Sequence, residues 1–339
     1  MKSLFDTTYI NNLKLKNRFI RSATWENMAS QDGHITPELL QLYKNLASGG
    51  VALIITGCTD IFEDEKPRRN MLSIYDDSFI KEYKKLTDMV HENHSGIVMQ
   101  IAQRDGYASP EGQVDTSEFS DKISKEYMED IANAFANAAY RAKQCDFDGV
   151  EIHGADGCFL SKTVSTIYNT RTDDYGGSVE NRAKFIFEVY NKIRSKVGKS
   201  FNVFIKINSS EVEEKKVAFD DWNYLCRLLD KAGINAIEIS GNIKDFKDKG
   251  SSEALFKKYA QKVAEKVKCP VILVGLNRSV FNMNDILNNT PIEYFSMSRP
   301  FICEPDLINK WLSGSTTKSS CISCSRCMTD KGIRCIYHI

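Results

Sequence analysis

Proline is scarce, at seven of 339 residues, and nineteen glycines are too few for a disordered or low-complexity tract. No sign of charge dominates: Lys+Arg and Asp+Glu both number 45. That balance argues against broad electrostatic binding to nucleic acid or to an anionic membrane. No apolar run approaches the roughly 18 residues of a membrane helix. The opening Met1-Lys2-Ser3-Leu4-Phe5-Asp6 lacks the apolar core of a signal peptide, which predicts a cytoplasmic protein. No word recurs at a spacing of about 20 to 50 residues. What is present is 42% hydrophobic and 10% aromatic residues, ample for a large globular core.

Ten cysteines without a signal peptide do not read as a secreted disulfide scaffold. Cys58, Cys145, Cys158, Cys226, Cys269 and Cys303 are scattered, whereas Cys321, Cys324, Cys327 and Cys335 crowd into the last stretch of the chain. Residues 1–312 are therefore read as one domain, with a cysteine-rich tail over 313–339.

Within the first 312 residues, short β-rich runs alternate with stretches of helical period. The runs are Phe19–Thr24, Val51–Gly57, Ile97–Ala102, Gly149–His153, Asn202–Asn208, Ala236–Gly241, Val271–Leu276 and Tyr294–Arg299. Between them, Ser124 opens a helix over Lys125–Cys145 and Ser178 opens a second. Phe219–Lys231 ends at Gly233, and Glu253–Lys266 ends before Cys269-Pro270. Eight such units predict a (β/α)8 TIM barrel. The alternative, a doubly wound open sheet, lacks a Rossmann-type glycine fingerprint after the first strand. A short N-terminal hairpin, Tyr9-Ile10 and Leu13–Leu15 around Asn11-Asn12, is expected to plug the barrel floor. Long polar loops at 103–123 and 155–177 are expected at the active site.

In a barrel the C-terminal ends of the strands carry the chemistry. Here they present Ala23-Thr24-Trp25, Gly57-Cys58, Gln100 with Gln103-Arg104, His153 with Asp156, Lys206 with Asn208, Ser240-Gly241, Gly275 to Arg278, and Ser298-Arg299. Lys206 lies mid-strand, where a buried ammonium must find an anionic partner or lose its proton. The turns after strands seven and eight suit a phosphate, with backbone N–H groups, a short helix start and Arg299 as donors. Together they suggest a phosphorylated ligand over the mouth, with Lys206 beneath it.

His153-Gly154-Ala155-Asp156-Gly157, followed by the word from Asn169 to Arg182 (NTRTDDYGGSVENR), resembles the signature of the old yellow enzyme family. Lys16-Asn17-Arg18-Phe19, the Gln100 strand, Phe147 to His153 and Ser298-Arg299-Pro300-Phe301 extend the likeness over roughly residues 4–312. The resemblance implies an FMN-dependent NAD(P)H:flavin oxidoreductase, with NADH or NADPH as co-substrate and a small-molecule acceptor such as an activated alkene. It places the Ala23-Thr24 backbone against the flavin ring, Gly57-Cys58 along its edge and Gln100 on its pyrimidine side. Lys206 takes the place of the cation near flavin N1, where it would stabilise the anionic reduced flavin. Gly275, Asn277, Ser298 and Arg299 would serve the phosphate, while Arg171, Asp173, Glu180 and Arg182 read as loop-bracing ion pairs.

The chain departs from this family where the acceptor is held. The family's two donors are His-x-x-His or His-x-x-Asn; here they are His153-x-x-Asp156, and a carboxylate has no proton to donate. Asp156 would hold His153 as an imidazolium, itself a donor to an oxyanion. Cys158 stands in place of the proton-donating tyrosine, Trp25 in place of a smaller flavin-tuning residue, and Gln103 in place of a histidine. His153, Asp156, Cys158 and Lys206 are thus the catalytic candidates. An FMN-binding electron-transfer or non-catalytic flavoprotein is the alternative; a Schiff-base lyase using Lys206 would leave the 169–182 word unexplained.

The tail, Cys321-x2-Cys324-x2-Cys327-x7-Cys335, has the ligand count and short spacings of a [4Fe–4S] or zinc site, with metal-free thiols the alternative. Related barrels that reduce dienoyl thioesters carry an iron–sulfur cluster on a similar, slightly longer-spaced group. A cluster here would call for an electron-donor protein. The sequence leaves a homo-oligomer open.

Overall fold

The computed structural model describes residues 1–63, 70–103, 108–109, 112–113, 116–209, 219–241 and 253–337. Arg104, noted at the third strand end, lies outside them. Eight parallel strands form the centre: β1 Phe19–Arg21, β2 Leu53–Ile55, β3 Gly96–Ala102, β4 Gly149–Gly154, β5 Asn202–Asn208, β6 Ala236–Ser240, β7 Val271–Leu273 and β8 Tyr294–Met297. Each pairs with the next, and β8 pairs with β1 through Phe295↔Phe19 and Met297↔Arg21, so the sheet closes. This is a (β/α)8 barrel, and the open-sheet alternative falls. Its apolar runs follow from burial on both faces, as parallel strands under helices require.

Side chains alternate inward and outward along each strand. Val150 and Ile152 point to the helical shell, so Gly149, Glu151 and His153 point inward. The bottom of the interior is apolar: Ile20, Leu53, Val98, Phe204, Ala236, Ile272 and Tyr294 pack as one cluster with Ile10, Leu13 and Leu15. Those last three come from an antiparallel hairpin, Thr8–Ile10 with Leu13–Leu15, whose turn holds Asn11 at φ 51°. The hairpin plugs the floor as expected, and Tyr294 Oη donates to the Tyr9 carbonyl at 3.0 Å.

The helices that matter for the site are α1 Pro37–Ser48, α2 Ile80–Glu92, α3 Lys125–Gln144, α4 Val179–Val197, α5 Phe219–Ala232, α6 Lys257–Ala264 and α7 Val280–Asn289. The Ser124 and Ser178 side chains accept the N–H groups of Tyr127 and Asn181, capping α3 and α4. α6 starts four residues later than its periodicity predicts. Ala254 is left-handed at φ 56°, and the Ala254 and Leu255 N–H groups bond to the carbonyls of Leu276 and Gly275, which holds this stretch out of the helix. Among the described residues no helix is long and apolar enough to cross a membrane.

Candidate active site

Above the apolar floor the barrel interior turns polar. Lys206 Nζ lies 3.1 Å from Glu238 Oε2 and donates to Ser22 Oγ at 3.1 Å. Gln100 Nε2 donates to Glu151 Oε1 at 2.8 Å. Strand pairing sets this layer, because Glu151↔Gln100 and Lys206↔Glu238 stand at matched register positions. Glu151 and Glu238 are both fully buried, and Lys206 is only 5% exposed. Burial works against the Lys206 ammonium, but Glu238, Asp156 and Glu151 together outweigh it and raise its pKa. The demand that a buried lysine find an anion is thus met by Glu238. Burial, then repulsion from Glu238, holds the Glu151 carboxyl well above its ordinary range.

One level higher, at the rim, His153 sits opposite Lys206 in the strand register. Its Nδ1 is buried without a hydrogen-bond partner. Burial pushes its pKa down to about 4, against the pull of Asp156 and with help from Lys206. This corrects the expected imidazolium: Asp156 is exposed, at φ 58°, and cannot offset the desolvation of the ring. The Asp156 N–H donates to Asn208 Oδ1 at 3.1 Å, tying the loop after β4 to the end of β5. Cys158 is half-buried at the start of a short helix, Phe159–Val164. Trp25 is exposed at the mouth, and Ala23, Thr24 and Cys58 are half-buried beside it. Gln103 is buried and donates to Tyr127 Oη at 3.3 Å.

On the β7–β8 side, Gly275 adopts φ +100° and Leu276 φ 57°. A β-carbon at Gly275 would lie 2.5 Å from the Phe256 ring, so only glycine fits. The backbone N–H groups of Gly275, Leu276 and Asn277 find no carbonyl partner among the described residues. The Asn277 amide braces the turn by donating to the carbonyls of Leu273 (2.7 Å) and Ser296 (3.0 Å). Thr24 Oγ1 donates to Ser298 Oγ at 2.8 Å, joining the ends of β1 and β8, and a short helix, Arg299–Cys303, follows.

The cysteine tail lies across this same edge. The Ser319 N–H bonds to the Arg278 carbonyl, Arg278 Nη2 donates to Ser323 Oγ at 2.7 Å, and Arg299 Nη1 donates to Ser325 Oγ at 3.3 Å. A small antiparallel pair, Met328–Thr329 with Gly332–Ile333, anchors the far end where the Ile333 N–H bonds to the Glu26 carbonyl at 2.8 Å. Cys303, read from sequence as scattered, is brought to the tail: its Sγ is 3.7 Å from that of Cys335. Among the described residues no three His, Cys, Asp or Glu side chains converge closely enough to hold a metal ion.

Sequence reasoning gave no role to Glu151, Glu238, Arg21 or Glu26. The first two share the signal that exposed Lys206, a charge at an inward position of an apolar strand. Arg21 and Glu26 are buried beneath the mouth; Arg21 Nη1 donates to the Ser298 carbonyl at 3.0 Å, and Tyr43 Oη donates to Glu26 Oε1 at 3.2 Å. In the loop after β4, Arg171 pairs with both oxygens of Asp173 and donates to the Ser120 and Ile123 carbonyls, while Arg182 pairs with Asp221 of α5. These brace the loop as expected. Glu180 is exposed at the first turn of α4, where its own backbone N–H, then the Ser178 hydroxyl and, more weakly, the Arg182 charge hold its carboxyl below the ordinary range.

Comparison with known proteins agrees with the architecture. A family model described as NADH:flavin oxidoreductase / NADH oxidase matches residues 3–318. The chain is 27% identical to NADH oxidase of Thermoanaerobacter brockii, over 95% of this chain and 53% of that protein. A solved complex of 2-naphthoyl-CoA reductase superposes with a TM-score of 0.86 at 20% identity, over 94% of this chain and 54% of that one. The chain therefore spans about half the length of both. An old yellow enzyme homologue from Zymomonas mobilis superposes with a TM-score of 0.77 at 19% identity, over 94% of each chain. The chain belongs to the NADH:flavin oxidoreductase / NADH oxidase family, the old yellow enzyme family to which the 169–182 word pointed.

Proposed function

We propose that this chain is an FMN-dependent NAD(P)H oxidoreductase that passes hydride to an electron-poor small molecule such as an activated alkene. The observation that carries the reading is the barrel mouth itself: a buried cation, Lys206, lies below a rim of polar atoms without hydrogen-bond partners among the described residues. Those atoms are His153 Nδ1, Asn277 Oδ1, Ser209 Oγ and the N–H groups of Gly275 to Asn277. Buried polar atoms without partners are costly, so their gathering at one mouth favours a polar ligand there. FMN fits that demand. Its phosphate would take the 275–277 N–H groups with Ser298 and Arg299, and its ring would rest on Ala23, Thr24, Gly57 and Cys58, with Gln100 and Lys206 beneath. When bound, FMN supplies hydride transfer between the nicotinamide and the acceptor.

The protein's own contribution is electrostatic and positional. Lys206, kept cationic by Glu238, supplies positive charge under the mouth. Neutral His153 keeps one N–H with which to orient an acceptor oxygen. Asp156 and Cys158 are the further candidates at the acceptor side. A second reading, a flavoprotein that transfers electrons without reducing an alkene, is favoured by one feature: position 156 offers a carboxylate where the family has a donor.

The proposal extends to the tail. Ser323 and Ser325 are left-handed, at φ 55° and 60°, and turn the chain between Cys321, Cys324 and Cys327. Burial raises the Cys327 thiol, and so does the nearness of Cys321, Cys324 and Cys335, a repulsion that a bound cation relieves. A [4Fe–4S] cluster or zinc ion on these four thiols would require the tail to close around it.

The test is the visible spectrum of the anaerobically purified protein, before and after NADH or NADPH. An oxidised-flavin spectrum bleached by either nucleotide supports an oxidoreductase. A flavin that stays oxidised favours the electron-transfer reading, and a colourless protein that refuses added FMN overturns both. Iron, sulfide and zinc analysis of the same sample decides the tail.

A further inference from the structure

The polar layer of the barrel holds more acid than its cation can balance. Glu151 on β4 and Glu238 on β6 are both wholly buried, and among the described residues the buried cation between them is Lys206 on β5. Among the described residues, the groups that act on this pair are Gln100 of β3, His153 and Asp156 at and after the end of β4, and Lys206 of β5, whose ammonium also donates to Ser22 after β1. Apart from Lys206 none of these adds positive charge, since burial holds His153 neutral. Glu151 Oε2 and Glu238 Oε1 have no hydrogen-bond partner, so neither carboxyl is satisfied as a fixed carboxylate. Glu238 holds the Lys206 ammonium, whereas Glu151 takes its hydrogen bond from Gln100, and burial with the repulsion of Glu238 raises its pKa well above the ordinary range, so the resting proton sits on Glu151.

We infer that the Glu151–Glu238 pair is a redox-linked proton site: it carries one proton at rest and takes up a second from water when negative charge arrives over Lys206. This rests on the flavin reading above. Hydride delivers two electrons and one proton, which leaves one net negative charge on a bound isoalloxazine beside Lys206. That charge competes with the carboxylate for the ammonium, and protonation of the carboxylate restores neutrality. No electrons move on the pair; one O–H bond forms, and the proton comes from solvent. Glu151 and Glu238 act through Lys206 and are positioning residues.

The experiment is a spectroelectrochemical titration of bound FMN against pH near neutrality, with infrared spectra of the resting and reduced protein. In the wild type, the potential should fall with two protons per two electrons, and a neutral-carboxyl signal present at rest should grow on reduction. Glu151→Gln should lose the resting signal and keep the two-proton slope. The double variant Glu151→Gln/Glu238→Gln should fall to one proton, half the slope. A wild-type slope of one proton without carboxyl growth overturns this inference and leaves the flavin reading standing, whatever the variants do. A two-proton slope surviving in the double variant overturns it too, since the proton then lands elsewhere. A chain that takes up no FMN overturns both.

Discussion

Glu26 follows Trp25 at the barrel mouth, yet it is only 3% exposed. Its Oε1 accepts from Tyr43 Oη, whose oxygen accepts from the Gly57 N–H at 3.0 Å. A β-carbon at Gly57 would overlap Glu26 Oε2, so the carboxyl fills the space that the glycine leaves. Burial raises its pKa from 4.5 to about 7, more than the buried Arg21 can offset. Because the folded state binds this proton more tightly than the unfolded chain, the stabilisation is complete below the unfolded value and is lost as pH rises through about 7. A shift of about 2.5 units corresponds to about 3 kcal/mol between acidic and mildly alkaline pH. With roughly 2.1 cal/mol/K per residue over this length, that is roughly 4 °C in melting temperature. Glu26→Gln keeps the shape and an acceptor for Tyr43 while removing the titration. The melting temperature of the wild type minus that of the variant should therefore rise by roughly 4 °C from about pH 8 to about pH 4.5. A difference that stays flat across this range would refute the reasoning, because it would mean that Glu26 titrates alike in both states.

Three further outcomes follow from the same geometry. Lys206→Met strands the buried Glu238 carboxylate without its cation and should cost about 3–5 kcal/mol by chemical denaturation, with Lys206→Arg recovering most of it. Gly275→Ala puts a methyl group into the Phe256 ring at φ +100° and should cost about 1–3 kcal/mol, with weaker retention of added FMN by equilibrium dialysis. At the opposite end of the barrel, His91 Nε2 lies 3.0 Å from Asp148 Oδ2, and that hydrogen bond raises the His91 pKa. Its contribution is fully present below the ordinary histidine value and fades as pH rises through the raised one. His91→Asn should therefore destabilise at about pH 5 more than at about pH 8 in paired thermal melts.

The barrel was legible because its signals are local. Eight apolar runs sit at the observed strand positions, and Ser124 and Ser178 announce their helices three residues ahead of the N–H groups they accept. The floor plug was legible for the same reason, with Asn11 turning a hairpin whose second strand alternates Leu-Lys-Leu. What sequence reading missed depends on contacts between distant segments. Nothing near residue 303 shows that the tail returns to lay Cys335 beside it, and nothing near Ser323 shows that its hydroxyl meets Arg278. The late start of α6 is of this kind, since Gly275 and Leu276 capture the N–H groups that would have begun it. The imidazolium expected at His153 failed because proximity in sequence says nothing about solvent. Asp156 stands three residues away but in water, whereas the ring stands in the barrel.

That contrast separates two parts of the mouth. The side that would hold a flavin is built from strand interiors, where Gln100, Lys206, Glu151 and Glu238 are fixed by register and cannot drift without breaking the barrel. The side proposed for the acceptor is built from the loop after β4, where Asp156 is left-handed and exposed, and Cys158 begins a six-residue helix. Substitutions on such a loop leave the scaffold intact, so a chain can keep the cofactor chemistry of its family while changing what it reduces. A neutral His153 sharpens the point. With one N–H to give and a carboxylate nearby, this mouth can hold an acceptor that itself donates a hydrogen bond, such as a carboxylic acid, amide or hydroxyl, which two donors would repel. Comparing turnover of a simple cyclic enone with that of an enone bearing a hydroxyl or amide N–H tests this directly: wild type should favour the donor-bearing substrate, and Asp156→Asn should move the preference toward the simple enone. If both enzymes rank the two substrates alike, Asp156 does not read the acceptor.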